Sequence, residues 1–388
     1  MPVLNRVAEL HDEITGWRRE IHANPELLYD VHETAAKVVS LLEEFGVDEI
    51  VPGIGQTGVV GIINGNKNDS GKTIGLRADM DALPMSEETG KEYASQVEGK
   101  MHACGHDGHT AMLLGAAKYL SETRNFNGRV AVIFQPAEEG GAGGKAMVDD
   151  GMMDRFDITE VYGMHNFPGI PVGQFAMREG ALMASADMLE MTFHGKGGHA
   201  AKPHSCVDPI VAASAAVQAI QSFASRNMDP LHSVVVSITQ FHAGTAFNII
   251  PQEAHLSGTV RCLNEDVRDL VEKRVSEIAE HVAIAHGCTA EVKYERMYPT
   301  TVNHVKQVRF AGEVAKSVVG EGNVDMDTPP VMGGEDFSFM LEARPGAFVY
   351  VGNGDSEGLH HPGYDFNDEA IPHGVSFLAE LVHKAIPA

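Results

Sequence analysis

The segment HACGHDGHT, residues 102–110, places three histidines, one cysteine and one aspartate within nine residues. Thiolate sulfur and imidazole nitrogen are ligands that zinc, manganese and related divalent ions accept in proteins. Cys104 and His106 are separated by one residue, so in an extended chain both side chains would point to the same side. A histidine-rich loop with a capping aspartate is the alternative, but so many possible ligands in one short segment favour a metal site.

Two adjacent glutamates follow the apolar run RVAVIFQP, in the segment QPAEEGG. Neighbouring side chains in a loop generally point in different directions, so one glutamate could bind a cation while the other reaches a water molecule beside that cation. Metal-assisted hydrolysis needs this division between a Lewis acid and a carboxylate base. Taken alone, Glu138 and Glu139 would more often be a solvated surface pair.

Further possible ligands come at the ends of apolar, strand-like runs. Asp79 and Asp81 follow KTIGLRA, His165 ends VYGMH, and the doublet His360-His361 lies in GLHHPGYDFND. In open α/β sheets, ligands bind beyond the carboxyl ends of the strands. We therefore expect Asp81, Cys104, His106, the glutamate pair and His165 to gather at one edge of a sheet.

Helical and strand patterns alternate up to about residue 180, which predicts an α/β fold with a mostly parallel sheet covered by helices. The predicted helices include the opening segment up to about His22, the segment ETAAKVVSLLEEF ended by Gly46, and residues 109–120. The pattern changes near residue 185 to β-α-β-β-α-β, the ferredoxin-like α+β order. We therefore predict an inserted domain of residues 185–298 within a larger domain of residues 1–184 and 299–388.

The predicted insertion contains polar residues that could contact a substrate. His199 lies in HGKGGHAAKPH, and Asn248 and Arg261 lie in and after FNIIP. Such donors can hold a carbonyl oxygen or a carboxylate. The alternative is ordinary turn chemistry, because the glycines of both segments suit hairpin turns.

Charge and cysteine usage narrow the class of protein. The 54 acidic and 29 basic residues give a formal charge of −25, which disfavours nucleic acid and anionic membranes as partners. No apolar run approaches the roughly 18 residues of a membrane span. The four cysteines form no CxxC pair and no signal peptide is visible, so we expect a cytoplasmic protein with free thiols.

The ordered motifs resemble those of the M20 peptidase family. They are WRREIHANPEL, GLRADMDALP, MHACGHDGHTAMLLGAA, FQPAEEGGAGGKAM, GMHN, GKGGHAAKPH, FNIIP, GGEDFSFM and LHHPGYDFNDE, and they extend over most of the chain. Within that family the chain is similar to the amidohydrolase branch, which includes hippurate hydrolases, N-acyl-amino-acid amidohydrolases and indoleacetyl-amino-acid hydrolases.

The resemblance implies a catalytic domain with an inserted lid or dimerisation domain, and two divalent metal ions such as zinc, manganese, cobalt or nickel. The ions would be held by the residues that match the family's ligands, Cys104, His106, Glu139, His165 and His360. Glu138 matches the general base, which would deprotonate the attacking water and later protonate the leaving nitrogen. Asp81 matches an aspartate that orients a ligand histidine.

The resemblance also gives roles to two residues of the insertion. His199 and Asn248 match residues that stabilise the tetrahedral oxyanion or hold the substrate. In dimeric relatives the matching histidine comes from the partner subunit, so the resemblance implies a homodimer, with a tetramer as a further possibility.

Asp79 and Cys104 depart from the wider family. Asp79 stands where that family has a histidine ligand, and Cys104 stands where it has a bridging aspartate. Both features are typical of the amidohydrolase branch. Of the histidine doublet we choose His360, because it aligns with the ligand two residues before the proline.

The sequence predicts a metal-dependent amidohydrolase that cleaves an N-acetyl or N-benzoyl type amino acid into a carboxylic acid and a free amino acid. Within the same family, an N-acetyl-diaminopimelate deacetylase or a promiscuous amide hydrolase is the alternative. A non-catalytic metal-binding protein is the alternative from another class, although such a protein needs no base like Glu138.

Overall fold

The computed structural model describes residues 4–388 and divides them into two compact units. The first unit consists of the described residues up to Leu182, Val302–Pro329 and Asp336–Ala388. The second consists of Met183–Thr301 together with Pro330–Glu335. The sequence-based division included residues 330–335 in the larger domain, and this short segment has no helix or strand pattern that would set it apart.

The described residues form the following elements. The strands are β1 (Glu49–Ile54), β2 (Gly58–Asn64), β3 (Thr73–Asp79), β4 (Arg129–Gln135), β5 (Ile158–Phe167), β6 (Phe175–Ala176), β7 (Gly180–Met183), β8 (Ala186–His194), β9 (Gly198–His199), β10 (Val234–Ala243), β11 (Ile249–Ile250), β12 (Glu253–Cys262), β13 (Thr289–Tyr298), β14 (Thr301–Asn303), β15 (Val324–Asp325) and β16 (Gly346–Gly352). The α-helices are α1 (Asn5–Glu9), α2 (His11–Ala23), α3 (His32–Glu44), α4 (His106–Thr123), α5 (Gly143–Asp149), α6 (Met152–Arg155), α7 (Pro209–Arg226), α8 (Glu265–Ala285), α9 (Val305–Val319), α10 (Phe337–Ala343) and α11 (Ile371–Ala385).

The first unit is built on an eight-stranded sheet in the order β1-β2-β4-β3-β5-β16-β6-β15. The central strands β4, β3, β5 and β16 are parallel to one another, while β1 and β2 add antiparallel strands at one side. Every residue of β3 and β16 is buried, which requires cover on both faces of the sheet. The predicted α/β fold with a mostly parallel, helix-covered sheet is confirmed.

The second unit has a four-stranded antiparallel sheet in the order β10-β12-β8-β13. Helices α7 and α8 pack against this sheet and each other, and their apolar side chains share a core with it. The chain order of these elements is β-α-β-β-α-β, so the predicted ferredoxin-like α+β fold is confirmed.

The predicted helices are present, with one different start. The opening helix is two helices, α1 and α2, and residues 1–3 of that prediction lie outside the described residues. Gly46 follows α3 with a φ of +71°, the left-handed conformation expected of a glycine that ends a helix. Helix α4 begins at His106 and not at residue 109, so the prediction that Cys104 and His106 share an extended segment is wrong.

Two helical glycines allow a matched test of the packing. A Cβ on Gly115 of α4 would lie 2.6 Å from Cδ1 of Ile14 and 2.9 Å from Cγ2 of Val375, whereas a Cβ on Gly16 of α2 would meet nothing within 4 Å. We expect Gly115→Ala to lower the free energy of unfolding by about 1–3 kcal/mol through overpacking. Gly16→Ala should raise it by about 0.5–1 kcal/mol, because alanine favours the helix.

Calorimetric melting of both variants and of the wild-type protein checks whether the two substitutions change the free energy of unfolding in opposite directions. A Gly115→Ala protein that melts as high as Gly16→Ala would contradict the close packing of α2, α4 and α11.

Candidate metal centre

The predicted ligands of the first unit do come together at the carboxyl edge of its sheet. Two predicted ligands and the predicted base lie close to the ends of parallel strands or in the loops that follow. The ligand Glu139 and the base Glu138 come after β4, and the ligand His165 lies near the end of β5. Cys104 and His106 lie at the start of α4, which packs against β3. Parallel strands end at the same edge, which brings these distant segments together.

Gly105 is the residue that lets Cys104 and His106 approach the site from a helix start. Its φ is +90°, a left-handed conformation that favours glycine. A Cβ at this position would also lie 2.2 Å from Oδ1 of Asn166 and 2.6 Å from the hydroxyl of Tyr364. The backbone turns at Gly105, so Cys104 approaches the site from the turn and His106 approaches it from the first position of α4. The two residues do not lie on an extended strand.

Two groups of possible ligands share the Cys104 thiol. One group is Cys104, His106 and His165, and the other is Cys104, Glu139 and His360; within each group the ligand atoms lie within 4.8 Å of one another. The Cys104 Sγ is 3.5 Å from Nε2 of His165, and Nε2 of His360 is 3.1 Å from Oε1 of Glu139. Two neighbouring cations with one sulfur between them fit this arrangement.

Unsatisfied polar atoms support that fit. Both ring nitrogens of His106 are buried without a hydrogen-bond partner among the described residues, and carboxylate oxygens of Asp81 and Asp79 lie 3.5 Å and 3.6 Å from them. His165 directs Nδ1 to the carbonyl oxygen of Asn166 at 2.7 Å, which leaves Nε2 for an ion. Buried polar atoms without partners are costly, and a bound cation would satisfy them.

The negative charges around the site also favour bound cations. Burial, together with the carboxylates of Glu139 and Glu138, raises the pKa of the Cys104 thiol well above its usual range. Although burial opposes its charge, His106 has its pKa raised to about 10 by neighbouring carboxylates, chiefly Asp79. A divalent ion can replace these protons, because coordination deprotonates a thiol and provides the positive charge that the carboxylates favour.

Asp81 fixes the glutamate pair through the backbone. Its Oδ1 accepts a hydrogen bond from the N–H of Glu138 at 2.9 Å, and its Oδ2 accepts one from the N–H of Glu139 at 3.1 Å. Oδ1 also lies 3.5 Å from Nδ1 of His106. One buried carboxylate therefore contacts the segment of the predicted base and a predicted ligand, in agreement with the orienting role that the resemblance implied.

Asp79 has partners that sequence reasoning missed. Its Oδ2 is 2.8 Å from Nη1 of Arg77, and its Oδ1 is 2.7 Å from Nδ1 of His109. The Nε2 of His109 lies 2.7 Å from Oδ1 of Asn166, beside His165. This series of buried hydrogen bonds accounts for the presence of His109 in the motif, to which the sequence assigned no role. The motifs GLRAD, GHDGHT and GMHN contain these residues but do not show that they meet.

The histidine doublet separates into two environments. His360 has a φ of +64° and lies beside Glu139, and its N–H donates to the carbonyl oxygen of Ala103. His361 instead lies 3.8 Å from Glu357 and accepts a hydrogen bond from the N–H of Gly363. The geometry of the first unit is consistent with His360 as the ligand.

The two predicted substrate residues of the insertion lie together in the second unit. Strands β9 and β11 pair so that His199 is opposite Ile249, and the N–H of Ala200 donates to the carbonyl oxygen of Asn248 at 3.0 Å. Both predicted side chains are exposed. Arg261 is half-buried within β12 and donates to the hydroxyl of Thr259, which favours a structural role for it.

Known proteins share both the fold and these motifs. The model of the family described as peptidase family M20/M25/M40 matches residues 75–384. The chain belongs to this family. A hippurate hydrolase of Campylobacter jejuni subsp. jejuni is 44% identical over 384 residues, which cover 99% of each chain. An N-acetylcysteine deacetylase of Bacillus subtilis is 40% identical, with 96% of each chain covered.

A solved structure adds the metal content of a relative. The YXEP protein of Bacillus subtilis, described as a dinuclear metal-binding peptidase of the M20 family, matches with a TM-score of 0.86 at 36% identity. The match covers 98% of this chain and 99% of that one. This M20 family member is accordingly a metal-dependent amidohydrolase, and the predicted branch of the family is confirmed. Among residues 4–388, no helix combines the length and apolarity needed to cross a membrane.

Asp81→Asn tests the role of the orienting carboxylate. The amide offers only one oxygen to the two N–H groups and loses the negative charge beside His106, so we expect metal affinity to fall by about 10–100-fold. Competition with a chromophoric zinc chelator measures this change. The matched control is Asp150→Asn, because that exposed carboxylate accepts the N–H of Gly55 at 3.0 Å. An Asp81→Asn protein that binds zinc as tightly as this control would contradict the role.

Proposed function

We propose that this enzyme hydrolyses the amide bond of N-acyl amino acids of the N-acetyl or N-benzoyl type, releasing a carboxylic acid and a free amino acid. The names of two relatives, a hippurate hydrolase and an N-acetylcysteine deacetylase, share this substrate class. The observation that carries the proposal is the placement of Glu138 beside the two ligand groups. Its carboxylate lies within 4.8 Å of ligand atoms of His106 and Glu139.

The proposed ligands and the proposed base have separate roles in hydrolysis. Cys104, His106, Glu139, His165 and His360 would hold the two ions, which, when bound, polarise the amide carbonyl and acidify water. Zinc, manganese, cobalt and nickel all suit this mixture of sulfur, nitrogen and oxygen ligands. Glu138 belongs to neither of the groups that contain Cys104, so we assign its carboxylate the role of the base.

Glu138 would carry one proton through the reaction. It accepts a proton from the attacking water as the oxygen forms a bond to the carbonyl carbon. It then gives that proton to the amide nitrogen as the C–N bond breaks, and the products are a carboxylic acid and an amine. The backbone hydrogen bond from Glu138 to Asp81 keeps the base in place between the two steps.

We propose that the second unit acts as a lid and dimerisation domain. Strand β10 lies at an edge of its sheet, so its backbone is open to pairing. Large apolar side chains on or near that edge are exposed: Leu231, Phe241, Phe247 and Ile249. Such a surface fits a homodimer, in which His199 of the partner subunit would stabilise the oxyanion with Asn248.

Removal and return of metal, with a variant of the base, tests the catalytic proposal. We expect chelator-treated protein to lose amino-acid release from N-acetyl and N-benzoyl amino acids, and added zinc, manganese, cobalt or nickel to restore it. Glu138→Gln keeps the size of the side chain but cannot accept a proton, so it should bind metal normally and lower kcat by about 10²–10⁴-fold.

The substrate panel also includes longer N-acyl amino acids and N-acetyl-diaminopimelate, so that its ranking identifies the acyl pocket. Stoichiometric metal binding without hydrolysis of any member would contradict the proposal and favour a non-catalytic metal-binding protein. Full activity of Glu138→Gln would instead exclude this residue as the base.

Hybrid dimers test the proposed role of His199. Glu138→Gln and His199→Ala chains carrying different affinity tags are expressed together, and the hybrid is purified through both tags. If the histidine acts across subunits, each hybrid has one intact site and about half of the wild-type activity per dimer. Each single-variant dimer provides the background. A hybrid that is no more active than this background would show that His199 does not act on the partner's site.

A further inference from the structure

Arg18 and His22 lie one helical turn apart on α2, and both are completely buried. They belong to the motif WRREIHANPEL, which has no part in the proposed reaction. We propose that these two residues position two segments that carry predicted metal ligands. They fix the start of α4 against residues 360–368, which we call the C-terminal segment. This inference rests on the proposed function, because that proposal assigns the ligands.

His22 holds the first turn of α4. Its Nδ1 lies 2.8 Å from Oδ2 of Asp107, and its Nε2 lies 3.3 Å from Oε2 of Glu87. Asp107 directly follows His106, so restraining its carboxylate restrains the backbone from which a predicted ligand projects. Although burial opposes its charge, His22 has its pKa raised to about 9 by Asp107, which makes this contact ionic at neutral pH.

Arg18 joins the same aspartate to the C-terminal segment. One nitrogen, Nη1, lies 3.5 Å from Oδ2 of Asp107 and 3.7 Å from Oδ1 of Asp365. The other, Nη2, lies 2.8 Å from Oδ1 of Asp368. These two aspartates follow His360 by only a few residues, so the guanidinium connects a segment with one predicted ligand to a segment with two.

Tyr364 links the C-terminal segment to the end of β5 and to the turn at Gly105. Its hydroxyl accepts a hydrogen bond from Nδ2 of Asn166 at 2.5 Å, next to His165, and its position excludes any side chain at residue 105. The C-terminal aspartates that bind Arg18, Asp365 and Asp368, closely follow this tyrosine in sequence. A shift of Asp365 would therefore also move the residue that packs against the turn between Cys104 and His106.

A purely structural role is the competing explanation, and burial alone does not decide against it. Buried ion pairs are weak evidence for stability, because desolvation offsets much of the attraction between the charges. What distinguishes this network is its position, since two of the segments that it joins to α2, the start of α4 and the segment after His360, carry predicted ligands. Arg19 provides a comparison, because its exposed side chain also binds Asp368, at 2.8 Å, but does not reach Asp107.

Two substitutions of His22 separate positioning from packing. The amide of asparagine occupies the place of Nδ1 and can still donate to Asp107, whereas the amide of glutamine reaches the place of Nε2 and loses that contact. We measure Zn²⁺ and Mn²⁺ affinity of the metal-free, full-length protein by competition with a chromophoric chelator, with melting temperatures recorded beside it. His22→Gln should lower the affinity for the more weakly bound of the two ions by about 10–100-fold.

His22→Asn and Arg19→Gln should bind both ions within about twofold of the wild-type affinity, even where they melt at a lower temperature. Unchanged affinity in His22→Gln, or an equal loss in both His22 variants, would overturn the inference while the proposed function stands. A wild-type protein that binds neither Zn²⁺ nor Mn²⁺ would overturn both. If His22→Gln does not fold, Arg18→Lys serves in its place, because lysine keeps the charge but cannot contact Asp107 and Asp368 together.

Discussion

Buried negative charge at the carboxyl edge of the sheet is the constraint on which the first unit depends. Asp79, Asp81 and Glu138 are buried close to one another, and Glu139 is largely buried beside them. Carboxylates in a medium of low dielectric are stable only with positive charge or hydrogen-bond donors close by. Arg77 and backbone N–H groups meet part of that need, and bound cations would meet the rest. The glycine turn, the strand ends and the orienting aspartate are arranged around this requirement.

The sequence was sufficient wherever the chemistry is local. The segment around Cys104 and His106 can be recognised from the sequence, because several types of metal ligand lie within a few residues of each other. The pair Glu138-Glu139 is informative only together with the motif around it. The alternating patterns also gave the α/β sheet and the ferredoxin-like insertion, since each element has its own periodicity. Contacts between distant segments could not be read in this way. The hydrogen bond between Asp79 and His109 depends on how α4 packs on β3. No local sequence pattern encodes that packing.

The wrong start of α4 has a physical reason of the same kind. A glycine before a histidine suggests a loop, and the first turn of the helix lacks a side-chain cap that would mark its beginning. The helix begins there because Gly105 adopts a left-handed conformation and Asn166 and Tyr364 leave no room for another residue. Positions of this type are specified by tertiary packing, and they recur at functional sites because those sites accept local strain.

The discontinuity of the first unit affects the order in which the chain can fold during synthesis. Strand β16, which pairs with β5 in the centre of the sheet, is made more than 170 residues after β5, and His360 follows it. The second unit, by contrast, is contiguous from Met183 to Thr301 apart from a short later segment. Domains generally fold as units as they leave the ribosome. The insertion is thus complete while the proposed ligand set still lacks His360, so a nascent chain acquires the full proposed metal site only near the end of translation.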